Sequence, residues 1–236
     1  MSPFLAELLG TMFLIVLGNG VVANVVLAKT KGNNGGWIVI TFGWGIAVFT
    51  GVYVASHGSH AHLNPAVTIA LAAFNDFPWT DVPVYIGGQF AGAMIGAILV
   101  WFSYRQHFNE TTDPSLQLAT FCNAPAIRNT THNLISEFIG TFILVLGVLF
   151  MTKSTNSLGT LDALPVGLLV FGIGLSLGGP TGYAINPARD LGPRIMHAIL
   201  PIKNKGTSDW AYSWIPVIGP MAGGLMAAFV YKMIMQ

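Results

Sequence analysis

Two side-chain amides, each followed by proline and alanine, are the groups in this sequence best placed to act on a small molecule: Asn64-Pro65-Ala66 and Asn186-Pro187-Ala188. Asn is a strong helix N-cap and Pro suits the first helical position, so each triplet reads as a helix start. If each amide oxygen caps its own helix, the NH2 donors of Asn64 and Asn186 are left to point at whatever passes. The second triplet runs on into Arg189 and Asp190, with Arg194 four residues later. The Arg189 guanidinium can donate to two hydroxyls at once while repelling cations. Asp190 and Arg194 share a helical face and can pair; they read as holding the Arg189 region in place without touching solute.

Glu7 and Glu137 stand near the starts of long apolar runs. A carboxylate buried there is costly and marks either function or a satisfied network. The reading preferred is structural, with each accepting hydrogen bonds from irregular backbone; a proton relay is the sharper alternative. His57, His60 and His62 precede the first Asn-Pro. They have no cysteine or carboxylate close by in sequence, so no metal site and no cofactor is expected. His57 or His60 could gate by titrating near neutrality.

These groups must be positioned by a chain that is mostly apolar. Of 236 residues, 53% are hydrophobic and 8% charged, against about 25% charged in soluble domains. Mean hydropathy is +0.64. The composition excludes a soluble globular protein and implies a polytopic membrane protein without a separate soluble domain. A net charge of +1 argues against a nucleic-acid partner, and the single Cys122 excludes an internal disulfide. No nucleophile–base or metal constellation points to an enzyme, and no cleavable signal peptide is expected.

A bilayer core of about 30 Å needs about 20 helical residues. Full spans are expected at roughly 3–28, 37–56, 81–104, 132–152, 161–178 and 212–235. Two apolar stretches, about 65–75 and 187–199, are too short to cross, and each begins at Asn-Pro. The expected fold is all-α: six transmembrane helices and two re-entrant half-helices. Residues 105–131, with Arg105, Glu110, Asp113 and Arg128, are expected to lie outside the membrane.

The chain also repeats itself. Glu7-Leu8-Leu9-Gly10-Thr11 is echoed by Glu137-Phe138-Ile139-Gly140-Thr141, Gly43-Trp44-Gly45 by Gly172-Ile173-Gly174, the first Asn-Pro-Ala by the second, and Ala91-Gly92 by Ala222-Gly223. One channel-like domain, 1–236, is therefore expected, with halves at about 1–104 and 132–236 joined by 105–131. Each half has three spans, an odd number, so the second half enters the membrane inverted. Inverted repeats place a passage near the midplane where discontinuous helices meet. The two half-helix N-termini, each carrying about +0.5 charge, would oppose cations there. Extended backbone before each half-helix, residues 58–63 and 179–185, should expose carbonyls along one wall, since irregular backbone at membrane depth is tolerated where it lines a wet cavity. Acceptors facing an apolar wall suit a polyol.

Twin Asn-Pro-Ala half-helices in an inverted three-plus-three repeat, with Glu7 and Glu137 opening the halves and Arg189 after the second triplet, resemble the major intrinsic proteins, the aquaporins and aquaglyceroporins. The resemblance covers essentially the whole chain. It implies a passive channel for small uncharged solutes in the cell membrane, cytoplasmic termini and a homotetramer. Within the family, Asp190 and Arg194, together with Pro216-Val217 in the last span, resemble the glycerol-conducting branch. The family's selectivity filter maps onto Trp44, Gly174, Tyr183 and Arg189. Its pore lining maps onto His62, Gly179, Pro180, Thr181, Gly182, Ala184 and Ile185. Tyr183 stands where typical glycerol facilitators have Phe, and the loop after Arg194 is shorter than theirs; both bear on substrate range. Glycerol and water are the implied solutes, with dihydroxyacetone, urea, hydrogen peroxide and protonated lactic acid as related candidates. A water-selective channel and an ion-coupled secondary transporter are the competing readings. Charge alone votes otherwise on orientation: Lys153 and Lys232 lie on the side of the termini, against eight basic residues opposite, or six once Arg189 and Arg194, in or beside the half-span, are discounted, and the positive-inside rule would put the termini outside.

Overall fold

The computed structural model describes residues 1–74, 77–152 and 159–235. Lys153, used in the charge count above, lies outside the described residues. The described residues form α1 (Pro3–Val26), α2 (Trp37–Ala55), α3 (Pro65–Phe74), α4 (Val82–Glu110), α5 (Pro114–Ala119), α6 (Thr130–Thr152), α7 (Ala163–Leu177), α8 (Pro187–Ile199) and α9 (Ile215–Met235), with no strand among them. Ser2 caps α1, and Pro3 sits at its first turn, where a missing N–H costs nothing.

Five helices, α1, α2, α4, α6 and α9, are long and apolar enough to cross a membrane. The span expected at 161–178 is shorter as an α-helix. Its 15 residues rise roughly 22 Å, and the 3₁₀ turn Gly159–Asp162 that leads into it adds roughly 8 Å. Together they match a bilayer core. α4 runs six residues past its expected end, because Tyr104 to Glu110 contain no helix breaker and Phe108 is buried.

Residues 105–131 are more than a solvated connector. Asp113 caps α5, accepting from Ser115 Oγ and N at 2.7 and 2.8 Å, and these bonds hold its carboxyl below the usual carboxylate range. Behind that polar edge Phe108, Leu118, Phe121 and Cys122 are buried in the main core. Phe121 meets His197 of α8 edge-on at 5.3 Å. The charged residues mark the outer surface of this segment; its apolar residues fold back onto the bundle.

Glycines set the closest helix crossings. A Cβ on Gly92 would lie 2.2 Å from Leu8 O of α1, and one on Gly223 would lie 2.2 Å from Phe138 O of α6. The α1–α4 and α6–α9 pairs are thus the same contact in the two halves. Between the halves, a Cβ on Gly45 would meet Gly167 O at 2.9 Å, and one on Gly167 would meet Gly45 O at 2.6 Å. This reciprocal contact of α2 and α7 is the mark of a local two-fold relation. Close backbone approach of this kind stabilises helix pairs in lipid, where no hydrophobic drive exists between them.

Candidate solute pathway

The two half-helices α3 and α8 begin beside each other in the interior. Asn64 Oδ1 accepts from Ala66 N at 2.9 Å, and Asn186 Oδ1 accepts from Ala188 N and Arg189 N at 3.0 and 3.2 Å. Each amide nitrogen then reaches across. Asn64 Nδ2 donates to Ile185 O, and Asn186 Nδ2 donates to Leu63 O, both at 2.8 Å. The sequence alone leaves both NH2 groups wholly to the passage. The fold spends one proton of each on a reciprocal tie and leaves one. Pro65, Ala66, Pro187 and Ala188 are buried in the first turns.

The loops feeding these helices are held alike. Ala61 and Leu63 have φ of 52°, and Tyr183 and Ile185 have 43° and 45°. Left-handed backbone at non-glycine residues costs about 1–3 kcal/mol each and persists only when its surroundings enforce it. The enforcing groups are the two carboxylates. Glu7 accepts from Ser59 Oγ (2.7 Å), His62 N (3.0 Å), Leu63 N (2.7 Å) and Gln89 Nε2 (2.8 Å). Glu137 accepts from Ala184 N (3.0 Å), Ile185 N (2.8 Å) and the Thr181 side chain. Both glutamates are fully buried.

A cavity of about 870 Å³ runs past both Asn side chains. At one end it is lined by Trp44, Tyr183 and Arg189, and at the other by Ser56, His60, Phe77 and Asp162. The Arg189 guanidinium carbon lies 4.2 Å from the centre of the Trp44 ring. His62, Ala184, Ile185, Val48, Val67 and Val170 line the cavity as well.

Gly174 is not on the lining. A Cβ there would stand 2.8 Å from Tyr183 Cζ and Oη, so Gly174 acts by leaving room for the phenol. Trp37 donates Nε1–H to Gly174 O at 3.0 Å and meets the Tyr183 ring edge-on at 5.9 Å. Tyr183 Oη is buried without a hydrogen-bond partner among the described residues. Gly179, Pro180, Thr181 and Gly182 are likewise absent from the lining. The carbonyls expected to face solute are partly engaged elsewhere: Pro180 O accepts from Ala126 N at 3.0 Å, and Thr181 O from Asn123 Nδ2 at 3.1 Å.

Asp190 and Arg194 form a buried ion pair. Arg194 Nε and Nη2 donate to Asp190 Oδ1 at 3.0 and 2.8 Å. The same guanidinium reaches Asn123 O, Ser208 O and Asp209 O, while Asn123 N donates to Asp190 Oδ2 at 2.7 Å. Asn123 was not singled out in the sequence; as a polar residue among apolar neighbours after α5, it carried only a faint signal. Lys205 Nζ caps the far end of α8 through His197 O, Ala198 O and Leu200 O at 2.7–2.9 Å, where a cation suits the helix dipole. Among the described residues no cluster of His, Cys, Asp or Glu could hold a metal ion.

Membrane-crossing helices, paired half-helices and a cavity between them define a multi-pass membrane protein with an internal path for small molecules. The chain belongs to the major intrinsic protein family, whose family model matches residues 1–231. It is 59% identical over 232 residues to a probable glycerol uptake facilitator protein of Thermotoga maritima, covering 98% of this chain and 99% of that one. It is 55% identical over 233 residues to a glycerol uptake facilitator protein of Streptococcus pneumoniae, covering 99% of each. Among solved structures it is similar to the aquaglyceroporin from Plasmodium falciparum, with a TM-score of 0.88 and 34% identity over 98% of this chain and 95% of that one.

Proposed function

We propose that the protein is a passive channel for small uncharged solutes, with glycerol as its main solute and water also passing. The observation that carries this is the cavity, which brings the donors of Asn64, Asn186 and Arg189 together with the apolar surfaces of Trp44, Val48, Val67 and Val170 in one lining. A glycerol molecule would lay its carbon chain against Trp44 and Val48. Its hydroxyls would donate to loop carbonyls and accept from Arg189 and from the spare protons of Asn64 and Asn186. The glycerol facilitators among its relatives support that choice of solute. The whole chain would act as one channel unit in the plasma membrane, with cytoplasmic termini, as one subunit of a homotetramer.

The test is vesicle swelling after reconstitution. Shrinkage in an impermeant osmolyte followed by rapid re-swelling in glycerol is the expected result. Fast water movement without glycerol entry would replace this reading with a water-selective channel, and uptake against a gradient would replace it with a coupled transporter.

Arg189 and the two half-helix N-termini would exclude cations. A unit charge about 6 Å from a passing cation, at an effective dielectric of about 20, raises its energy by roughly 3 kcal/mol. Arg189→Ala should therefore raise the cation leak of vesicles about a hundredfold, read as decay of an imposed potassium or proton gradient. An unchanged leak would assign cation exclusion to the half-helices alone.

A further inference from the structure

The two halves differ at the end of the cavity lined by Trp44, Tyr183 and Arg189. The reciprocal Gly45–Gly167 contact aligns α2 with α7 so that Trp44 corresponds to Val166, and not to Ile173 as the Gly-Trp-Gly echo implies; likewise Tyr183 corresponds to Ala61, Arg189 to Val67 and Gly18 to Val148. Val166, Ala61, Val67 and Val148 all line the cavity. Gly18 does not; it is buried behind Trp44. A Cβ on Gly18 would stand 2.2 Å from Trp44 Cζ3, 2.4 Å from Cε3 and 2.5 Å from Cη2. One half thus sets a valine beside a valine, and the other sets the smallest residue behind the largest ring. Tyr183 is seated likewise: a Cβ on Gly178 would stand 2.4 Å from its Cδ1.

We infer that Gly18 and Gly178 determine the solute-size limit of the channel, although neither touches solute: each is the recess that lets an aromatic wall of the constriction stand back from the passage. The inference rests on the small-solute reading above. A methyl group at position 18 requires the indole to retreat by more than about 1 Å to regain ordinary contact. The ring is rigid, 3% exposed, and backed by Gly18 on one side. Arg189 already stands 4.2 Å over the ring, so the retreat is into the cavity that the ring lines. In an aperture matched to a polyol, that shift obstructs glycerol before it obstructs water.

Gly18→Ala should lower glycerol permeability about tenfold while lowering water permeability only about twofold, measured on the same vesicles. Gly20→Ala is the control, because a Cβ there meets nothing within 4 Å, and it should leave both rates unchanged. Adding Trp44→Phe to Gly18→Ala should restore glycerol passage, since the smaller ring regains its clearance. Gly178→Ala should reproduce the loss through Tyr183. An unchanged glycerol-to-water ratio in folded Gly18→Ala protein would overturn the inference, as would failure of Trp44→Phe to restore it. Should Gly18→Ala not fold alone, the double variant must fold; if it does not, the indole is not what the methyl group meets, and the inference falls. Wild-type protein that passes no glycerol would refute the channel reading itself, which separates the two failures.

Discussion

Arg194→Ala should give a protein that no longer holds its native fold under ordinary conditions. The side chain is fully buried with its partner Asp190. Truncation leaves the Asp190 carboxylate in the interior with Asn123 N as its remaining donor. It also removes the donors to Asn123 O, Ser208 O and Asp209 O. Breaking a buried pair by removing one partner costs about 3–5 kcal/mol, a large share of the about 5–15 kcal/mol that holds a typical domain folded. Thermal unfolding in detergent should show a large fall in Tm and little folded protein at 37 °C. The double variant Asp190→Ala/Arg194→Met removes both charges and should recover much of that stability. It should not recover glycerol flux, because the Asn123 and Ser208–Asp209 segments lose their common anchor beside Arg189. Full recovery of flux would show that the pair serves stability alone.

Much of this molecule could be read from its residues, and the parts that could not share a cause. The repeat, the two half-helices and the buried glutamates each leave a local mark: an Asn-Pro cap, an apolar run of fixed length, a carboxylate inside such a run. That Trp44 and Tyr183 line the cavity beside Arg189 is reached only through resemblance, because an aromatic in an apolar segment has no local sign of facing a cavity. Gly174, mapped by the resemblance to the selectivity filter, lies off the cavity lining and leaves room for the Tyr183 ring. Gly18 passed unnoticed for the same reason. A glycine's meaning depends on what stands where its Cβ would be, and that is a three-dimensional fact. The carbonyls of Pro180 and Thr181 were assigned to the passage because their segment is extended. They are instead partly occupied by Ala126 and Asn123, from a stretch whose charges suggested it stood apart.

Glu137→Ala should be as damaging as the loss of Arg194, by another route. The Glu137 carboxylate accepts from Ala184 N, Ile185 N and Thr181. Two of the residues it organises, Tyr183 and Ile185, are held at positive φ. Each buried donor left without an acceptor costs about 1–3 kcal/mol, and the strained backbone, no longer enforced, relaxes away from its loop geometry. The sum, about 4 kcal/mol or more, should leave little folded protein. Glu137→Gln is the gentler test. Its amide oxygen can still accept, but its NH2 group faces donors where the carboxylate offered a second acceptor. Folded protein with a lowered Tm and glycerol flux reduced about tenfold is expected. The corresponding Glu7→Gln should be milder. Glu7 has Gln89 as an additional partner, whose amide can turn to meet the new one, whereas the position matching Gln89 in the second half is Pro220, which has no side-chain donor. The two variants also separate the structural role from a proton relay. Wild-type uptake should be indifferent to an imposed proton gradient. Proton-coupled uptake that disappears in Glu137→Gln, with folding and passive water flux intact, would make the carboxylate a relay and overturn its role as the anchor of the loop.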